Sequence, residues 1–174
     1  MKVTKTKLDG VLLIEPTTIF KDFRGGYVEL YNEDLYHEAG IDQKFIQDDI
    51  AYSSRHVLRG IHGDAKTWKL FSCLSGSIFL AVVNWDEPSP QYMQCCSFEL
   101  SEDNRLQVLV PPKSATRIWC SRTTPSFTIS RPRIMTAKPN FRLCGTIRDW
   151  ISTGLSMSPF FRTATEARKA NERG

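Results

Sequence analysis

Arg59, His62, Asp64, Lys66 and Lys69 fall within eleven positions of one another, in the stretch VLRGIHGDAKTWKL at residues 57–70. Apolar residues flank the group on both sides. An imidazole placed among cations is suited to take a proton from carbon while a nearby ammonium stabilises the charge that develops on oxygen. Arg59 and Lys66 are suited to hold an anion. Gly60 and Gly63 leave room for backbone to approach a ligand. A lone histidine in a strand is more often structural, so these residues become a site only if the fold gathers them.

The surrounding elements decide that. In a regular strand, Leu58, Gly60 and His62 share one face while Arg59 and Ile61 share the other. Asp64 then begins a turn into the strand that carries Lys69. Strand patterns recur from Lys44 onward: residues 44–53, 56–62, 68–74, 76–85, 93–100 and 105–111, with turns at SGS and DEPSPQ. Before them come an apolar run at residues 11–20 broken by Pro16, a KDFRGG turn, and GYVELY. NEDLYHEAG predicts one short helix, with Asn32 as N-cap, Glu33 and Asp34 in the first turn, and Gly40 past the end. Short strands at regular spacing predict an all-β antiparallel sandwich or barrel. The mouth of such a barrel gathers residues from several strands.

The bulk numbers exclude other classes. A length of 174 residues suits one domain, and 41% hydrophobic with 11% aromatic content is that of a folded chain. No apolar run is long enough for a membrane helix, and the four-residue apolar run ending at Glu15-Pro16 is no secretory signal. Five cysteines without ligand spacing predict reduced thiols in a cytoplasmic protein. The three histidines, His37, His56 and His62, offer no converging metal set. No phosphate loop, nucleophile elbow or CxxC pair is present.

The motifs FKDFRGGYVELY, FIQDDIAYSSRHVLRGIH, KLFSCLSGSIFLAVVNW and SPQYMQCCSFELSEDNRLQVLVPP resemble the nucleotide-sugar 3,5-epimerases typified by dTDP-4-dehydrorhamnose 3,5-epimerase, over about residues 8–113. The resemblance implies a cupin jelly roll, a homodimer, no metal and no organic cofactor. It implies a nucleotide-linked 4-keto sugar as substrate, inverted at C3, C5 or both, in surface polysaccharide synthesis. Neither nucleic acid nor a membrane is an expected partner. By resemblance His62 is the base and Lys69 stabilises the C4 oxyanion. Arg59 and Arg24 match positions that contact the diphosphate or sugar. Glu29 and Gln47 match nucleotide- and sugar-side contacts, some supplied across the dimer. Asp49 stands where the family has Asn.

A second departure is RGIHGDAKTWKL, where the rhamnose-pathway enzymes typically read Arg-Gly-Leu-His-Tyr-Gln. It looks nearer the branch acting on GDP-linked 4-keto-6-deoxy-heptoses. The family takes its acid, a tyrosine, from a strand after the Pro-Pro turn, whereas the last tyrosine here is Tyr92. A cupin that binds a nucleotide sugar without turnover and a sugar ketoisomerase are therefore the rival readings.

Charge divides the chain at the same place. Residues 1–113 hold 12 Lys plus Arg against 16 Asp plus Glu, a net −4; residues 114–174 hold 11 against 3, a net +8. The tail has no Val, Tyr, His or Gln, yet nine Arg and sixteen Ser plus Thr. Residues 1–113 are expected to be the N-terminal part of a single epimerase domain, and 114–174 an out-of-frame translation replacing its end. If one base was lost after the Lys113 codon, each original codon is the third base of the preceding codon plus the first two of the next. Trp119-Cys120 then forces valine at 120, and Met135-Thr136 forces aspartate at 136. The restored frame also admits tyrosine at 129 and aspartate at 147. On this reading the roll lacks its later strands and the tail packs poorly.

Overall fold

The computed structural model describes residues 1–16, 19–120 and 125–132. Among these, the elements in chain order are β1 Lys2–Lys5, β2 Leu12–Glu15, β3 Ile19–Asp22, β4 Gly25–Val28, α1 Glu33–Glu38, β5 Gln47–Tyr52, β6 Leu58–Asp64, β7 Lys69–Ser75, β8 Ser77–Asn84, β9 Cys95–Ser101, β10 Gln107–Val110, β11 Ser114–Cys120 and β12 Ser126–Arg131. The helix is the predicted one. The Asn32 side chain accepts from the Leu35 N–H at 3.3 Å, and Gly40 takes φ +80° beyond the end.

Two antiparallel sheets carry the fold. One has the order β1-β2-β10-β7-β12-β5 and the other β6-β11-β8-β9, while β3 and β4 pair only with each other as a hairpin. The inner faces pack Phe71, Cys73, Val108, Val110 and Phe127 of the first sheet against Ile78, Leu80, Val82, Leu100, Ile118 and Cys120 of the second. Each of the Val, Leu, Ile and Phe side chains, fully buried, stabilises the fold by about 1.5–3 kcal/mol. On the outer face of the six-stranded sheet, Ile14, Leu70 and Leu109 pack against Tyr36 of α1 and Ile41. There the Tyr36 hydroxyl bonds the Gln107 side-chain oxygen, and the Gln107 amide donates to the Leu30 carbonyl at 2.8 Å and to Ser72 Oγ at 2.9 Å. Burial pushes the Tyr36 phenol well above its ordinary pKa.

Two expectations are corrected. β1 went unread in the sequence because its residues, KVTK, carry one apolar side chain. More consequentially, the roll does not stop at Lys113. SATRIWC and SFTISR alternate with apolar or small residues facing inward, which suffices for a strand, and they fill interior places in both sheets. The expectation that residues 114–174 leave the roll without later strands therefore fails for residues 114–120 and 125–132; residues 133–174 lie outside those described. Among the described residues, no helix is long and apolar enough to cross a membrane. Cys73, Cys95, Cys96 and Cys120 are buried and free, and Cys144 lies outside the described residues.

Candidate active site

Pairing register determines which side chains of β6 face inward. Thr116 of β11 pairs with His62, whereas Ile118 pairs with Arg59. Thr116 and Ile118 are two apart and share the inner face, so His62 and Arg59 share it as well. Their spacing of three is possible because β6 carries one residue more than β11 between these pairs, a bulge at Gly60 and Ile61. This corrects the alternation read from the sequence, which set Arg59 and His62 on opposite faces. Gly60 makes the bulge possible. It adopts φ +113°, and a Cβ there would lie 2.6 Å from the Thr116 carbonyl oxygen.

Lys69 faces inward from β7, since it is in step with Phe71 and Cys73 of the core. Its side chain is 8% exposed, and its ammonium lies 3.6 Å from Asp64 Oδ2, across the gap between the sheets. Asp64 Oδ1 accepts from the backbone N–H groups of Lys66 at 2.8 Å and Thr67 at 2.6 Å. Burial lowers the Lys69 pKa, and Asp64 only partly restores it. Burial pushes the Asp64 carboxyl up, but the two backbone donors and Lys69 outweigh it and hold the pKa below the ordinary 3.8. A carboxylate with a depressed folded-state pKa contributes stability that is full above its unfolded value and lost as pH falls through the folded one. Thermal melts should therefore show Asp64→Asn less stable than the parent at pH 6, with the gap closing below about pH 3.8. A gap unchanged at pH 2 would contradict the assignment.

The other side of the mouth comes from β5 and β12. Asp49 pairs with Ile129, which pairs with Phe71, so Asp49, Gln47, Ile129 and Arg131 all face inward. The Arg131 guanidinium forms an ion pair with Asp49, and the Gln47 amide donates to both Asp49 oxygens at 3.0 and 3.2 Å. Arg59 is fixed by donating from Nε to Ser53 Oγ and from its terminal nitrogen to the Tyr52 carbonyl, both at 2.6 Å. Among the described residues the His62 imidazole has no hydrogen-bond partner, and its ring is exposed.

Five of the seven residues singled out from sequence thus share the inward faces: Gln47, Asp49, Arg59, His62 and Lys69. Arg24 and Glu29 are elsewhere. Arg24 is exposed on the β3–β4 turn, paired with Asp22, and Glu29 lies close enough to Tyr36 to act on its phenol, on the outer side of the six-stranded sheet. The sequence reading missed Arg131, whose inward position follows from the alternation of SFTISR, and the pairing of Asp64 with Lys69. Among the described residues no three His, Cys, Asp or Glu side chains cluster as metal ligands.

The model of the family described as dTDP-4-dehydrorhamnose 3,5-epimerase matches residues 5–128. The chain belongs to this family. Among curated members of the dTDP-4-dehydrorhamnose 3,5-epimerase family, that of Methanothermobacter thermautotrophicus is 36% identical over 109 residues, covering 62% of this chain and 58% of its own. That of Shigella flexneri is 34% identical over 115 residues, covering 64% and 63%. The chain thus matches about three-fifths of the length of these relatives. Among solved structures of the family, the Bacillus anthracis enzyme with TDP and PPi bound superposes with TM-score 0.73 at 28% identity, over 78% of this chain and 79% of that one. The Legionella pneumophila dTDP-6-deoxy-D-glucose-3,5-epimerase in complex with dTDP-4-keto-L-rhamnose gives TM-score 0.73 at 29% identity, over 77% and 72%. Among the described residues, the antiparallel strands, two facing sheets and one short helix are the expected cupin jelly roll.

Proposed function

We propose that the mouth between the sheets binds a nucleotide-linked 4-keto-6-deoxy sugar and that His62 removes a proton from a carbon beside its ketone. The observation that carries this reading is the Gly60-Ile61 bulge, which turns His62 and Arg59 to one face opposite the buried Lys69. A ketone acidifies the carbons on either side of it, and the enolate formed needs a cation at its oxygen. Lys69 meets that need, while Arg59 is suited to the diphosphate or sugar. The ligands named for the Bacillus and Legionella structures support a nucleotide sugar. The Gly63-Asp64 departure supports a GDP-linked heptose over a dTDP-linked hexose. Calorimetric titration and turnover of both ketones side by side test this, with tighter binding of the GDP sugar expected. A clear preference for the dTDP sugar removes the heptose assignment, and binding of neither removes the function.

The working unit on this reading is a homodimer. The β3–β4 hairpin, unpaired with either sheet, exposes Phe20, Phe23 and Tyr27 beside Arg24, and β5 exposes Ile50 and Tyr52. A second copy would cover such apolar surface and bring Arg24 and Glu29 to the other copy's mouth. Sedimentation at two concentrations tests it; a monomer at both would end the idea. We also propose that the tail beyond Lys113 is out of frame. The charge split, the composition and the codon arithmetic support it, and the folding of β11 and β12 into the sheets counts against it. Rereading the coding DNA across codon 113 decides the point, an intact frame being the result that defeats it.

A further inference from the structure

We infer that this chain exchanges the proton beside its ligand's ketone with solvent and returns it to the same face, without inverting the carbon. The inference rests on the ligand class proposed above and goes beyond it. Inversion needs a base on one face of the sugar ring and a proton donor on the other. His62 supplies the base from the four-stranded sheet. Facing it, the inward residues of β5 and β12 are Gln47, Asp49, Ala51, Phe127, Ile129 and Arg131. Ala51, Phe127 and Ile129 have no proton to give. An amide and a guanidinium do not release theirs near neutral pH. Asp49, held by Arg131 and by the Gln47 amide, is a carboxylate and an acceptor only.

Among the described residues Lys69 and Asp64 are the remaining titratable groups on the inward faces, and their pairing with each other argues against service as the opposite donor. Although Lys69 arises from the facing sheet, its ammonium reaches to Asp64, two residues along the strand that carries His62. It is therefore engaged with the strand that bears the imidazole, and as an ammonium it is suited to meet a ketone oxygen. The tyrosines are elsewhere: Tyr31 and Tyr36 belong to the outer cluster, Tyr52 points outward from β5, Tyr27 is on the hairpin and Tyr92 lies between β8 and β9.

The step balances without any further reactant. A neutral His62 nitrogen takes the α-proton, the C–H electron pair becomes the enolate C=C bond, and the ketone π pair moves to oxygen beside Lys69. The exposed imidazolium trades its N–H for a solvent deuteron. Collapse of the enolate then takes that deuteron from the same nitrogen on the same face, restoring the ketone with configuration kept.

The test incubates the full chain in D2O with the GDP-linked and dTDP-linked 4-keto-6-deoxy sugars and follows H3, H5 and product stereochemistry by NMR. The expected result is loss of the H3 or H5 signal with inversion slower than exchange by about 100-fold or more, the scale of one missing proton donor. His62→Asn should stop the exchange, which excludes a contaminating enzyme. Ile129→Tyr, placing an acidic hydroxyl at the facing inward position, should yield the inverted sugar. Inversion by the parent chain at a rate near that of exchange overturns the inference while leaving the epimerase reading intact. Binding seen by saturation transfer, without exchange, overturns it and the base assignment together. Absence of binding overturns it along with the ligand class.

Discussion

Replacing His62 by Asn should lower α-proton exchange by about 100- to 10,000-fold, the range a positioned general base contributes, and should leave the melting temperature unchanged. Both halves follow from the same geometry. The ring is exposed and takes no hydrogen bond among the described residues, so its loss removes no packing. Its backbone, which pairs with Thr116 and accepts the Thr116 hydroxyl at 3.2 Å, is unaffected by the change. Exchange rates read by NMR beside a thermal melt give both numbers at once. Undiminished exchange would remove His62 from the chemistry, and a fall in melting temperature would mean that the ring serves the fold.

Gly60→Ala should do the opposite and lower stability first. Its φ of +113° is a region that side chains rarely adopt, and the new Cβ would meet backbone at 2.6 Å from the Thr116 oxygen and 3.0 Å from the Arg117 Cα. Neither neighbour is a flexible chain end, so the bulge must move. The strained backbone alone costs about 1–3 kcal/mol, and the overlap adds to it. A loss of about 3 kcal/mol or more corresponds to roughly 6–12 °C for a domain of this size. Flattening the bulge would also return Arg59 to the face opposite His62, so ligand binding should fail in whatever fraction stays folded. A variant that melts with the parent and binds as well would show that Gly60 does not set the face of Arg59.

Much of this was legible from the chain alone. Period-two alternation marks β5 to β10, Asn32 and Gly40 bound the helix, and His62, Lys69 and Arg59 stand out by type and spacing, while Gln47 and Asp49 are marked only by the family resemblance. Register was not legible. A bulge is a relation between two strands, and nothing local to LRGIH states that Thr116 and Ile118 will bracket it. The pairing of Asp64 with Lys69 hid for a similar reason, since it crosses between the sheets. Arg131 was lost because a change in composition at Lys113 was read as an end to the roll. Strand formation asks only for inward apolar or small residues at alternate positions, and Phe127, Ile129, Ile118 and Cys120 meet that condition whatever their coding history.

The strand order also bears on how the chain is made. Among the described residues, β5 touches its sheet only through β12, and β6 touches its sheet only through β11. As the polypeptide leaves the ribosome, the two segments that bear His62, Arg59, Gln47 and Asp49 emerge long before the segments that will anchor them. Partners as far apart as Tyr52 and Ser126, or Leu58 and Trp119, raise the contact order and slow the closing steps of folding. In the interval β7, β10, β2 and β1 can pair, and so can β8 with β9, but the site-bearing strands wait with open backbone edges. Nascent chains stalled before residue 114 should therefore be prone to self-association and to chaperone capture, with an assembled core and no assembled site.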